Sequence, residues 1–200
     1  MTAPRLEDFP LRRRRRFRDL KNVPVLPSLV TLGNVFFGFL AIAKVADALR
    51  SAAPREQFGS VLGLFETAAI LVFVAMVFDA LDGRIARMTG QSTPFGAQLD
   101  SMADMVTFGV TPAFMAKVLI DWHAQGDANH LLPAHPKIYY GAAAIYVLCA
   151  ALRLARFNVE TSTDEEDHAE FKGLPSPAAA AVVCALVLFF CTRDQRDTLG

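Results

Sequence analysis

The segment FDALDGRIARMTGQSTPFGAQLDSMAD, residues 78–104, places four aspartates, Asp79, Asp82, Asp100 and Asp104, inside an otherwise apolar chain. Charge beside hydrocarbon is costly, so carboxylates retained there point to function. On a helix turning about 100° per residue, Asp79, Asp82, Gly83, Ala86 and Arg87 share one face within roughly 140° of arc. Gly96, Asp100 and Asp104 recur at i, i+4 and i+8 and share a face of the following helix. Between them TGQSTP reads as a turn: Gly90 closes the first helix, and Ser92 or Thr93 with Pro94 opens the second. Positions 79 and 104 lie almost symmetrically about that turn, as do 82 and 100. In an antiparallel hairpin Asp79 is therefore expected to face Asp104, and Asp82 to face Asp100.

Four carboxylates this close cannot all stay ionised without protons or cations to neutralise them. Oxygen-only ligands suit hard ions, Mg²⁺ or Mn²⁺, and four carboxylates suffice for two ions that share ligands. A two-metal site suits displacement at phosphorus, because it can hold both the attacking and the leaving oxygen. Gly83 and Gly96 remove side chains where a ligand or the other helix must come close. Arg87 can fork onto a phosphate. An isolated helix cap or a salt bridge with Arg84 or Arg87 would explain one or two of these aspartates, but not four on facing surfaces.

The elements that must position them are membrane spans. Hydrophobic residues make up 53% of the 200, and the formal net charge of zero hides an uneven layout. The first 21 residues carry eight Arg or Lys against three acids, and Glu160 to Glu170 holds six acids. Long apolar runs lie between, the composition of a polytopic membrane protein rather than a soluble domain. With about 20 apolar residues needed per span, five spans are expected. They run from about Leu26 to Ala48, Val61 into the motif, Pro94 to Ile120, Ile138 to Phe157 and Pro175 to Cys191. The fold class is all-α, a transmembrane helix bundle. Residues 1–25 form a basic cytoplasmic segment, 26–191 the transmembrane domain and 192–200 a tail that reads as truncated.

The run PLRRRRRFRDLKN fits a cytoplasmic topology anchor or a short interfacial helix on anionic lipid; it is not a cleavable signal peptide. Alternating the spans puts the motif hairpin in the cytoplasm, with Arg84 and Arg87 as its positive flank. It leaves the last span without a partner. Cys149, Cys184 and Cys191 have no CxxC spacing and read as buried free thiols. His123, His130, His135 and His168 fall in expected loops, in no trusted zinc pattern. Trp122, Tyr139 and Tyr140 read as interface-belt residues.

The string Asp79-xx-Asp82-Gly83-xx-Ala86-Arg87-x8-Gly96-xxx-Asp100-xxx-Asp104 resembles the full motif of the CDP-alcohol phosphatidyltransferases, eight fixed residues over 26 positions. The opening of the first span, LPSLVTLGN, resembles the phosphatidylserine synthase branch, whose Pro-Asn-x-x-Thr-x-x-Asn is matched except that Ser28 replaces the first Asn. RLARFN (Arg153 to Asn158) and FKGLPSPAAA (Phe171 to Ala180) resemble that branch too. The resemblance covers about Leu26 to Phe190. It implies a six-helix integral membrane enzyme, often a homodimer, of which five helices are expected here.

The implied reaction moves a phosphatidyl group from CDP-diacylglycerol to an alcohol, here L-serine, and releases CMP. The resemblance implies that Asp79, Asp82 and Asp100 hold the metal, with Asp104 near a second ion and acting as base. Gly83, Ala86, Arg87 and Gly96 would lie at the CDP portion, joined by Thr31 and Asn34, which share a face of the first span and could line the nucleotide or the metal. Arg153, Arg156 and Asn158 are candidates for the serine carboxylate, though the two arginines also suit positive-inside anchors. Other acceptors, glycerol phosphate or inositol phosphate, would use the same motif. A divalent-cation transporter would explain the carboxylates, but not the glycines or the fixed positive charge of Arg87. No nucleic-acid role suits five arginines beside a membrane span.

Overall fold

The computed structural model describes residues 25–51, 58–89, 93–126, 136–163 and 173–199. Among them every regular element is helical: α1 (Val25–Arg50), α2 (Phe58–Thr89), α3 (Pro94–Asp104), a π-helical segment (Met105–Val110), α4 (Thr111–Gly126), α5 (Pro136–Thr163) and α6 (Ser176–Leu199). The chain passes from α3 to α4 without a break, so these elements make five rods, each long and apolar enough to cross a membrane. The five expected spans are all present. At 32 residues, α2 is about 48 Å long against about 30 Å of hydrocarbon. The turns carrying its carboxylates therefore need not lie at the centre of the apolar layer.

Hydrocarbon gives little hydrophobic drive for helix association, so close packing and polar contacts must supply it. The buried face of α1 shows both. Thr31, Asn34, Gly38, Ala41, Val45 and Ala48 are all buried, at alternating steps of three and four residues. The second half of this stripe joins Val61, Leu62, Phe65, Ala68, Ala69, Val72 and Ala75 of α2 in the core. Phe108, Met115, Val118 and Leu119 of the central rod and Ala180, Cys184, Val187 and Cys191 of α6 complete it. The first half, Thr31 to Gly38, is polar or bare and faces the aspartate-bearing turns.

Gly38 sets the spacing between α1 and the central rod. A Cβ on it would overlap Thr107 Oγ1 and sit 3.0 Å from the Thr107 Cβ and 3.1 Å from its Cα, tighter than nearly all side-chain contacts. Thr107 Oγ1 donates to the Asn34 carbonyl at 3.3 Å and Thr111 Oγ1 to the Gly38 carbonyl at 3.5 Å. The π-helical segment interrupts the central rod just after Asp104. Its Phe108 carbonyl accepts from the Tyr146 hydroxyl of α5 at 3.0 Å, so a side chain supplies a donor where the regular ladder is disturbed.

Two smaller expectations are corrected. His123 is not in a loop: it lies in the last turn of α4, edge-on to the Phe190 ring at 5.0 Å. Cys149 is exposed on α5, whereas Cys184 and Cys191 are buried free thiols. Trp122 packs against the core, and Tyr140 lies under the Lys117 ammonium at 4.0 Å. The basic segment before α1 and residues His130, His135 and His168 lie outside the described residues.

Candidate active site

The hairpin forms as its sequence dictates. Thr93, extended at φ −117° and ψ 150°, caps α3 through its side-chain oxygen, which accepts from the Gly96 N–H at 3.1 Å. Proline follows at the first helical position, where a missing N–H costs nothing. Gly90 and Ser92 lie outside the described residues.

Three of the four aspartates converge. One carboxylate oxygen from each of Asp79, Asp100 and Asp104 can be chosen so that all lie within 4.8 Å of one another. Asp79 and Asp104, expected to face each other, both belong to this cluster. Carboxylates so close call for a shared proton or a cation between them. Asp82 stands beside this triad rather than in it. It is 5% exposed and accepts a hydrogen bond from Thr31 Oγ1 of α1. Among the described residues no Lys or Arg forms an ion pair with any of the four.

Helix α1 closes the site from the other side. Asn34, fully buried, directs its Nδ2 at Asp104 Oδ1, 3.4 Å away. Its own Oδ1 is buried without a partner, as is the hydroxyl of Ser28 two turns earlier. Hard oxygen donors, negative charge without a described basic partner and an orphaned amide oxygen together fit a divalent cation.

The other expected residues are placed as follows. Gly83 is exposed on the aspartate face of α2, and Gly96 is half-buried at the cap of α3. Ala86 and Arg87 continue α2 beyond Asp82, and their side chains lie outside the described residues. On α5, Asn158 reaches the hairpin: the Ser101 hydroxyl, next to Asp100, donates to its Oδ1 at 2.9 Å. Arg153 Nη1 donates to Ser176 Oγ at 2.6 Å, tying α5 to the start of α6, and Arg156 is exposed. Gly173, at φ +110°, turns the chain ahead of α6. Sequence reasoning missed Ser101, Thr107, Thr111 and Ser176. Thr107 and Thr111 did carry a signal, since they stand three and seven residues after Asp104 in an apolar run.

Residues 24–198 match the CDP-alcohol phosphatidyltransferase family. The chain belongs to that family. It is 32% identical over 164 residues to the CDP-diacylglycerol–serine O-phosphatidyltransferase of Helicobacter pylori, covering 82% of this chain and 57% of that protein. It is 32% identical over 169 residues to the protein of the same name in Saccharomyces cerevisiae, covering 82% of this chain and 53% of that one. It is 33% identical over 165 residues to the archaetidylserine synthase of Methanothermobacter thermautotrophicus, covering 82% and 58%. The chain thus spans a little over half the length of these relatives.

Proposed function

We propose that this chain carries the active site of a CDP-diacylglycerol–serine O-phosphatidyltransferase, an integral membrane enzyme that makes phosphatidylserine and CMP. The observation that carries the reading is the convergence of Asp79, Asp100 and Asp104 on one point, with Asp82 and the polar turns of α1 around it. The relatives' names agree on serine and differ in the lipid, phosphatidyl or archaetidyl. That agreement supports serine over glycerol phosphate or inositol phosphate as acceptor.

Asp79, Asp82, Asp100 and Asp104 would hold Mg²⁺ or Mn²⁺. When bound, such an ion offsets the charge of the diphosphate and of the departing CMP. Gly83, exposed on the aspartate face of α2, and Gly96 would lie at the CDP portion, together with Ala86, Arg87 and Thr31. Asp104 takes the proton from the serine hydroxyl. The new bond joins the serine oxygen to the phosphorus that bears diacylglycerol, and the bond from that phosphorus to CMP breaks. Asn158 meets the hairpin through Ser101, next to Asp100, which supports an acceptor site formed with the Arg153–Asn158 turns. Arg153 or Arg156 would meet the serine carboxylate. The basic flanks support a cytoplasmic hairpin and N-terminus, and a homodimer is the expected assembly.

The test is CMP release in membranes supplied with CDP-diacylglycerol and a panel of alcohols, with EDTA and with Mg²⁺ or Mn²⁺ restored. Release with serine alone, abolished by EDTA and restored by the metal, supports the reading. Release only with a phosphorylated alcohol moves the chain to another branch of the family. No release with any alcohol would favour cation transport or an inactive chain that keeps the site.

A further inference from the structure

We propose that Asn34 of α1 is a working part of the acidic centre: its amide nitrogen fixes the Asp104 carboxylate, and its amide oxygen is a further ligand for the cation. The proposal deepens the metal-dependent reading above and rests on it. Asn34 is fully buried, and Nδ2 lies 3.4 Å from Asp104 Oδ1. The amide must present nitrogen there, because an oxygen would repel the carboxylate. Oδ1 is then left buried and without a partner. A buried carbonyl oxygen with no donor destabilises the fold, and a cation held by the adjacent carboxylates would remove that cost.

The backbone around Asn34 is fixed as a ligand's should be. Thr107, fully buried, donates to the Asn34 carbonyl at 3.3 Å. One turn on, Gly38 lets α1 sit against Thr107 without a Cβ between them. One turn back, Thr31 holds Asp82. Helix α1 therefore reaches two of the four carboxylates through side chains three residues apart, Thr31 and Asn34. Of these, Asn34 alone leaves an oxygen unpartnered.

The experiment measures Mn²⁺ binding to the full purified chain in detergent by electron paramagnetic resonance, with no lipid substrate or serine present. Asn34→Leu, close in volume, removes both nitrogen and oxygen. Asn34→Asp keeps an oxygen ligand and removes the donor. Thermal unfolding in EDTA checks that each variant is folded, and Asn34→Ala replaces the leucine variant if that one fails to fold. The leucine or alanine variant is expected to bind Mn²⁺ about 10- to 100-fold more weakly, the range seen when a partner of a metal ligand is removed. Asn34→Asp is expected to keep Mn²⁺ binding but to lower kcat, with the KM for serine unchanged. Wild-type affinity in the leucine or alanine variant overturns the proposal, and so does loss of binding in a folded Asn34→Asp. A wild-type chain that binds no Mn²⁺ also overturns it. The serine-dependent release of CMP is scored separately, so the two readings can fail independently.

Discussion

Helices α1 and α5 are both apolar enough to span a membrane, yet they are used in opposite ways. Six residues of α1, from Thr31 to Ala48, make one continuous buried stripe, and its first half is polar. In the span Lys137–Val159 of α5, Leu154 alone is buried. Ile145, Leu148 and Leu152 are each more than 60% exposed. The difference shows what organises a bundle in lipid. Where helices must bring carboxylates together, the sequence supplies glycine and hydroxyl groups that allow backbone-to-backbone approach. Where a helix only borders the bundle, large aliphatic side chains face outward and packing is light. Helix α5 meets the aspartate hairpin near its end, where Asn158 meets Ser101, and the start of α6 where Arg153 meets Ser176.

The largest effect expected on the α1 side comes from the carboxylates that it covers. Asp104→Asn removes the proposed base and one arm of the triad, and CMP release with serine should fall by at least about 100-fold. Mn²⁺ binding measured in parallel separates the two losses: a variant that still binds the ion but does not turn over has lost the base. Normal turnover would remove Asp104 from that role.

Gly38→Leu comes next. Its Cβ would meet backbone and Cβ atoms of Thr107, which cannot rotate away, so α1 must move off the central rod. Overpacking of this kind costs about 1–3 kcal/mol, and displacement of Asn34 and Thr31 should reduce activity more than it reduces stability. Thermal unfolding beside CMP release measures the two. Equal losses in both would mean that α1 matters to the site only through the fold. Thr107→Val sharpens this, since it keeps the volume and removes only the donor to Asn34. A cross-helix hydrogen bond in a membrane protein averages about 0.6 kcal/mol, and a stability loss of that order is expected.

At the end of α5, Arg153→Gln tests whether the arginine serves serine or only anchors α6. A raised KM for serine with kcat and unfolding temperature near wild type supports acceptor binding. A lowered unfolding temperature with KM unchanged assigns Arg153 to its bond with Ser176.

Much of this architecture is legible in the amino-acid sequence. Spans follow from run length, and the aspartate faces follow from helical period. The contact of Asp79 with Asp104 follows from their equal distance from a turn that Thr93 and Pro94 define. These are properties of one helix or of one hairpin. The rest depends on how separate helices dock. The symmetry that pairs 79 with 104 also pairs 82 with 100, but Thr31 of α1 offers Asp82 a donor, and no local rule announces that competition. The π-helical segment has one local mark, Pro112, which cannot donate to the Phe108 carbonyl four residues back; a proline alone does not specify a π turn. What completes it is tertiary: Tyr146 meets Phe108 O, and Thr111 both bonds back to Val106 O and reaches α1. Thr31 and Asn34 can be named as a pair from their spacing, while their partners cannot.

The smallest effect should come from Gly141→Ala on α5. A Cβ there meets nothing within 4 Å, and alanine is favoured over glycine in a helix by about 0.8–1.0 kcal/mol. The variant should be as stable as wild type or slightly more so, with unchanged CMP release, in contrast to the same kind of change at Gly38. The contrast holds only if the outer face of α5 meets lipid. A second copy of the chain packed against it would use Gly141 as a small residue at a helix crossing, and the added methyl group would then weaken association. Unfolding and sedimentation in detergent, run on the Gly141 and Gly38 variants together, decide between these cases. A drop in oligomer mass confined to Gly141→Ala would mean that α5, so lightly packed within one chain, is the helix through which two chains meet.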